Sequence, residues 1–272
     1  MSKEIDVRFS EAVIKVGELT VDPRVQRSRL NEGKVRRIYA NFNRDALGVI
    51  TVSLRKDKSY VVLDGMHRVE VVRRLTDNTG TMACHVLTGL SLAEEAEIFL
   101  DLNYSDKPTI IERYRVSVVA QDELNTKIND LVHAYGYTVS NQAANGHINA
   151  VNALRYVYEL PVNDGEPNRL QLTLIAVGKA WGNSRYALQA PILVGIGRLF
   201  SEYGSKIDLD HLATKMKEYQ GGPQGLLTAA RGLSTLRRSR VAMGVAELLV
   251  EEYNKGKSAT SRKALQVWRH RV

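Results

Sequence analysis

The stretch at 60–75 constrains the fold most, because its pattern changes from strand to helix within a few residues. Its first four residues, YVVL, form an apolar and β-branched run that is typical of a buried strand. From Val69 onward, apolar side chains recur at helical spacing. Between the two patterns lie Asp64 and Gly65, and glycine can adopt backbone conformations that are closed to other residues. The stretch therefore predicts a strand, a tight turn and a helix.

A helix that begins at such a turn presents backbone N–H groups and the positive end of its dipole. Together these favour an anion, phosphate above all. His67 and Arg68 stand in the first turn and could point at the same anion. The alternative is an ordinary strand–helix corner at which His67 and Arg68 only face water. The spacing alone favours neither interpretation.

The sequence DGMHR at 64–68 resembles the Asp-Gly-x-His-Arg box of the ParB/sulfiredoxin superfamily, whose members bind nucleotides at this corner or act on DNA. Upstream, LTVDPRVQR at 19–27 is similar to the first box of ParB amino-terminal domains. Downstream, GLSLAEEAEIFLDLN at 89–103 resembles the third box. This third box is most similar to the version found in phage ParB-like nuclease-domain proteins and in the DGQHR proteins of DNA-modification systems. The three boxes occur in the right order.

The element pattern and the resemblance imply an α+β protein, with a small mixed α/β domain followed by an all-α region. We expect a ParB/sulfiredoxin-like domain at 1–105, a helical connector domain at 106–165, and a helical domain with a basic tail at 166–272. The resemblance also implies a nucleoside triphosphate with Mg²⁺ as the cofactor. The expected phosphate-binding residues are Gly65, His67, Arg68, Arg27 and Asn103.

Three positions depart from the boxes. Met66 stands where sulfiredoxins carry their catalytic cysteine, and a thioether cannot act as a thiolate nucleophile, which excludes sulfiredoxin activity. Glu70 replaces a third ParB arginine and would repel a triphosphate unless a metal or Arg73 offsets its charge. Leu102 replaces the glutamate that precedes the box asparagine, and leucine cannot bind magnesium. We therefore expect nucleotide turnover to be very slow or absent.

Asp64 is the candidate for a catalytic carboxylate. A carboxylate just before a tight turn more often caps the following helix, so we favour capping over metal binding for Asp64. Asp101 lies next to the missing glutamate in sequence. Neighbouring helical residues point about 100° apart, so we expect Asp101 to face elsewhere.

The positive charge of the chain is concentrated at one end. The net charge is +8, and residues 231–272 hold 10 Lys and Arg against 3 Asp and Glu. A localised basic block is an electrostatic footprint for a polyanion, whereas the alternative is a solvated tail that only aids solubility. We favour duplex DNA as the partner and predict that it contacts Arg231, Arg237, Arg238, Arg240, Lys255, Lys257, Arg262, Lys263, Arg269 and Arg271.

Downstream of Thr109 the pattern predicts helices, among them 192–203, 209–219 and 240–254. Asp208 is the expected N-cap of the second of these. Upstream, Ser91 is the expected N-cap of a helix through Leu102, and Glu94, three residues on, completes a capping-box pattern. The sequence GGPQG at 221–225 indicates a loop that joins two helices, and 262–272 indicates a short basic helix.

Several other classes of protein are disfavoured. Cys84 is the single cysteine, so no internal disulfide can form, which fits a reducing cytoplasm. No apolar run approaches membrane-spanning length, and no zinc, EF-hand or P-loop spacing occurs, so we expect no membrane contact and no dedicated metal site.

The leading prediction is a cytoplasmic DNA-binding protein of phage or plasmid type, in the bacterial host cytoplasm if a phage encodes it. A homodimer is left open. The alternatives are a metal-dependent nuclease or small-molecule kinase on the same fold, and an adaptor whose corner is vestigial.

Overall fold

A computed structural model describes residues 8–26, 30–103, 109–257 and 264–266. The chain divides into two compact units, Met1–Glu123 and Leu124–Val272. The sequence predicts three domains, with boundaries at 105 and 165. That three-domain division stays a prediction.

The first unit is built on a five-stranded mixed sheet. Its strands, in chain order, are β1 (Arg8–Lys15), β2 (Leu19–Thr20), β3 (Ile50–Leu54), β4 (Tyr60–Asp64) and β5 (Thr81–Thr88). The spatial order is β1-β5-β3-β4-β2. The pairs β1/β5 and β3/β4 are antiparallel, whereas β3/β5 and β2/β4 are parallel. The parallel β2/β4 pair places the first box beside the strand that leads into DGMHR.

Four helices accompany this sheet: α1 (Glu32–Ala40), α2 (Met66–Thr76), α3 (Leu92–Leu102) and α4 (Ile110–Val119). Val69 and Val72 of α2 join one buried cluster with the sheet. Ala96 and Phe99 of α3 join a second buried cluster, which contains Val61 of β4. The strand β4 thus supplies side chains to both clusters, because the buried run at 61–63 alternates between the two faces of the sheet. Two layers of helix therefore fix the position of its carboxyl end.

A buried ion-pair network joins the first and third boxes. Arg55 donates two hydrogen bonds to the Glu95 carboxylate, one of them from Nε to Oε1 at 3.0 Å, and its Nη1 lies 2.8 Å from Oδ2 of Asp22. The Glu95 side chain is 1% exposed and that of Arg55 is 22% exposed. Hydrogen bonds from Arg24 and Arg55 hold the pKa of Asp22 well below its ordinary value.

The second unit is helical, as expected. Its helices are α5 (Glu123–Ala134), which begins at the division, α6 (Val151–Tyr158), α7 (Arg169–Trp181), α8 (Ala190–Tyr203), α9 (Leu209–Glu218), α10 (Gly222–Arg237) and α11 (Val241–Asn254). A two-residue parallel pair, β6 (Thr138–Val139) with β7 (His147–Ile148), interrupts the helices. The α+β fold class with a helical second part is confirmed. In the described ranges, no helix is long and apolar enough to cross a membrane.

The predicted N-caps at Ser91 and Asp208 are confirmed, but one predicted loop is wrong. Ser91 and Glu94 form the capping box of α3, and Asp208 caps α9 by accepting from the N–H of His211. The sequence at 221–225 is not a loop, because α10 begins at Gly222. Gly221, the N-cap residue, has a left-handed backbone conformation. A proline is tolerated in the first turn of α10 because a backbone N–H at that position would have no partner within the helix.

The segment at 262–272 is described only at 264–266, and these residues are not helical. Leu265 is buried, and its backbone exchanges two hydrogen bonds with the side-chain amide of Asn254, both 2.8 Å long.

Loss of the Glu95 charge should destabilise the first unit. We expect Glu95→Gln to lower the free energy of unfolding by on the order of 3 kcal/mol, because it leaves the Arg55 charge largely buried without its main partner. Urea unfolding followed by far-ultraviolet circular dichroism measures the change. The matched control is Glu32→Gln, which breaks an exposed pair with Arg74 and should cost about 1 kcal/mol or less. Equal losses in the two variants would contradict the structural role of Glu95.

Candidate functional site

The DGMHR corner has the predicted strand–turn–helix form. The strand β4 ends at Asp64, the helix α2 begins at Met66, and Gly65 lies between them with a φ of 95°. A Cβ atom on Gly65 would overlap the side chain of Ile50, which is fully buried. Both the left-handed backbone and the close approach require glycine here. The prediction that Gly65 makes the turn is confirmed.

The Arg68 guanidinium is bound within the corner. Its Nη1 donates to the carbonyl oxygens of Leu47 at 2.7 Å and Val49 at 3.2 Å, and its Nη2 lies 2.8 Å from Oδ2 of Asp64. Arg68 therefore attaches the loop before β3 to the end of β4. Asp64 does not cap α2, because the N-cap residue is Gly65 and no side chain caps that helix. The prediction of a capping role for Asp64 is wrong, since its carboxylate pairs with Arg68 instead.

His67 connects the corner to the helix that precedes β3. Its Nε2 accepts a hydrogen bond from the backbone N–H of Asn31 at 3.1 Å. Asn31 is the N-cap of α1, and its Oδ1 accepts from the N–H of Lys34 at 3.1 Å. Because Nε2 accepts, a neutral His67 carries its ring hydrogen on Nδ1. His67 thus fixes the start of α1 against the start of α2.

A cavity of about 270 Å³ opens at this corner. Its lining unites Gly65, His67, Arg68 and Asn103 from the predicted set with Lys34 and Arg37, which sequence reasoning missed. These last two lie at i and i+3 on α1, and that spacing places them on one face of the helix. The spacing was the available signal, but it lay in a segment between the recognised boxes.

The lining carries more positive than negative charge. Among the described residues of the lining, Lys34, Arg37 and Arg68 contribute three cations and Asp64 contributes the one carboxylate. The start of α2 adds the positive end of its helix dipole. An anion would therefore be attracted to this cavity.

The floor of the cavity includes two buried amides. Asn103 follows α3, is 7% exposed and donates from Nδ2 to the Phe99 carbonyl at 2.9 Å. Gln26 donates from Nε2 to the carbonyl oxygens of Leu63 at 3.0 Å and Val62 at 3.3 Å. The predicted residue Arg27 lies outside the described residues.

Two other carboxylates of this unit do not line the cavity. Asp101 is exposed and lies outside the lining, as expected. Glu70 pairs with Arg74 at 2.7 Å. Arg74, and not Arg73, is the arginine that offsets Glu70, because Arg73 donates to the carbonyl oxygens of Val16 and Leu19. In the part of the chain that the structure describes, no cluster of three or more His, Cys, Asp or Glu could hold a metal ion.

Six of the ten predicted DNA-binding residues are described, and these six fall into two groups. Arg237 pairs with Glu247 at 2.6 Å, Lys255 pairs with Glu252, and the Lys257 ammonium lies 3.4 Å from the centre of the Tyr253 ring. In contrast, three arginines, one within α10 and two in the turn between α10 and α11, are exposed and form no ion pair with a described residue. They are Arg231, Arg238 and Arg240. The remaining four, Arg262, Lys263, Arg269 and Arg271, lie outside the described residues.

One family model matches the chain, over residues 22–222, and it is described as a family of unknown function, DUF6551. The matched range contains the corner, all the residues that line its cavity, and the helices α1 to α9. No curated protein matches the chain.

A side chain at position 65 should damage the corner. We expect Gly65→Ala to lower the free energy of unfolding by about 2–4 kcal/mol, from left-handed backbone strain and from overlap with Ile50. Gly89→Ala is the matched control, because Gly89 also has a positive φ, of 84°, but its Cβ would meet nothing within 4 Å. Its cost should be about 1 kcal/mol. Urea unfolding measures both, and equal costs would mean that Ile50 does not constrain position 65.

Proposed function

We propose that this chain, which belongs to the DUF6551 family, is a ParB-like protein that binds a nucleotide phosphate at the corner cavity and duplex DNA through its second unit. The observation that carries the proposal is the exposed guanidinium of Arg37, which has no described carboxylate partner and lines the cavity at the start of α2. A phage- or plasmid-type role, as the three boxes imply, is part of this proposal.

Backbone donors support an anion at the corner. The N–H groups of Gly65 and Met66 donate to no described residue, as is usual at the first turn of a helix. Arg37 is exposed, lines the same cavity and forms no ion pair with a described carboxylate. Guanidinium groups and helix N-termini are the groups with which proteins most often hold phosphate.

The paired state of Arg68 changes the role that we assign to it. With its donors bound to the 47–49 loop and to Asp64, Arg68 shapes the cavity and neutralises the carboxylate. An unpaired Asp64 would repel a phosphate at the start of α2. We therefore assign direct phosphate contact to Lys34 and Arg37, and a supporting role to Arg68.

Binding is favoured over catalysis at this corner. Phosphoryl transfer needs metal ions that neutralise developing charge, together with a group that orients the nucleophile. Of the residues that the structure describes, Asp64 is the one carboxylate that lines the cavity, and it is already paired with Arg68. A nuclease or kinase would need further carboxylates close to a bound phosphate.

The charge of the second unit supports the DNA part of the proposal. The last 42 residues carry most of the net charge of the chain. Arg231, Arg238 and Arg240 are the members of the basic block that are exposed and form no ion pair with a described residue. Exposed arginines without acidic neighbours can neutralise backbone phosphates and release counterions, which supplies most of non-specific DNA affinity.

Nucleotide binding should depend on the cavity-facing side of α1. Thermal-shift scans with the four common ribonucleoside triphosphates and magnesium should find one that stabilises the chain. Arg37→Ala and Lys34→Ala should each weaken that binding about tenfold, because a charge-assisted hydrogen bond contributes about 1.5–3 kcal/mol. The matched control is Arg36→Ala, which removes an exposed arginine of the same helix that does not line the cavity.

The same samples, assayed for phosphate release, should show little or no turnover. If no nucleotide raises the melting temperature of the chain, even with DNA present, the nucleotide part of the proposal is contradicted. Rapid phosphate release that is lost in Asp64→Ala would show instead that Asp64 acts in catalysis.

Duplex DNA binding should depend on the exposed arginines of α10 and of the turn between α10 and α11. Replacing Arg231, Arg238 and Arg240 by Ala should lower affinity for all sequences alike and reduce the salt dependence, by a slope of about 0.9 per lost phosphate contact. Fluorescence anisotropy over a salt series measures both quantities. The control replaces Lys15, Arg44 and Lys56, three exposed cations of the first unit, and removes the same charge. Equal effects would indicate a general charge effect and no local interface.

A further inference from the structure

The second unit contains an apolar cavity of about 360 Å³ that is separate from the corner. It lies where α8 and α11 begin, beside α6. Its apolar wall includes Tyr156 of α6, Pro191 and Val194 of α8, and Val241 of α11. The volume falls within the range of small-molecule sites, which are mostly apolar with a few convergent polar groups.

Two arginines line this cavity, and none of its described lining residues is an aspartate or a glutamate. Arg198 is half-buried, lies 5.8 Å from the centre of the Tyr156 ring, and donates from Nη1 to the thioether sulfur of Met243. A thioether is only a weak acceptor. Arg240 is exposed at the rim, and neither guanidinium forms an ion pair with a described carboxylate. The site therefore holds two positive charges that the surrounding residues do not balance.

The start of α11 adds backbone donors at the same end of the cavity. Arg240 is the N-cap residue, and its side chain cannot accept a hydrogen bond, so the helix has no side-chain cap. The N–H groups of Val241 and Ala242, which both line the cavity, donate to no described residue. Such groups carry the positive end of the helix dipole.

We infer that this cavity binds a small organic anion, in which a carboxylate or sulfonate is attached to an apolar body. The anionic group lies between Arg198, Arg240 and the first N–H groups of α11. The body lies against Tyr156 and Val194, which offer an aromatic and an aliphatic surface. A polyphosphate fits less well, because it would lose its water to apolar side chains over much of the wall. The inference does not rest on the proposed function of the corner.

A pair of fluorescent probes that differ in charge tests the inference on the full chain. The probe 1-anilinonaphthalene-8-sulfonate carries a sulfonate on a flat apolar body, and N-phenyl-1-naphthylamine is its neutral counterpart. We expect saturable sulfonate binding that Arg198→Ala and Arg240→Ala each weaken about tenfold, which corresponds to the loss of one charge-assisted contact. Binding of the neutral probe should change little in these variants. Octanoate and benzoate should compete with the sulfonate.

Two further variants separate the site from misfolding and from general charge effects. Arg231→Ala removes an exposed arginine that does not line the cavity, and sulfonate affinity should be unchanged. Val194→Trp fills the cavity, and binding of both probes should be lost while the circular dichroism spectrum stays that of the parent. Unchanged sulfonate affinity in both cavity arginine variants would overturn the inference. Competition by inorganic phosphate or duplex DNA, but not by the carboxylates, would overturn it as well and assign both arginines to a polyanion.

Discussion

The left-handed backbone at Gly65 is the constraint on which the first unit depends. It lets the chain pass from a strand buried between two layers of helix directly into α2, without an intervening loop. The start of α2 therefore lies at the carboxyl end of the central part of the sheet, where Gln26 and Asn103 also lie. Any side chain at position 65 would overlap Ile50, which is fully buried in the core. Gly65 therefore determines both the shape of the candidate site and the packing of the sheet.

The two units use arginine in two ways. Arg55, Arg68 and Arg73 in the first unit are bound to carboxylates or backbone carbonyl oxygens, where they hold separate segments of chain together. Arg37 in the same unit, and Arg198 and Arg240 in the second, have no described carboxylate partner. Net charge alone cannot distinguish these groups, because each arginine counts once. The groups that each guanidinium already contacts determine whether that arginine can bind a ligand.

The sequence predicted the local structure better than the pairing of side chains. The strand–turn–helix corner, the capping box at Ser91 and the N-cap at Asp208 are confirmed, because each depends on residues within a few positions of one another. The helical start of α10 was missed because glycine and proline usually end helices, although both are accepted in a first turn. The Asp64–Arg68 pair was missed because capping was the expected role at that position. Lys34 and Arg37 were missed because only tertiary structure brings α1 to the corner.

The pair between Asp64 and Arg68 also limits how such a sequence can diverge. Loss of Arg68 alone would leave a carboxylate at the mouth of a positively charged cavity and would release the 47–49 loop from its anchor. Loss of Asp64 alone would leave a half-buried guanidinium with only carbonyl oxygens as partners. Each single replacement therefore leaves a charge without its partner, which the double replacement does not, so we expect the two positions to change together. A descendant that kept the cavity would change both residues or neither.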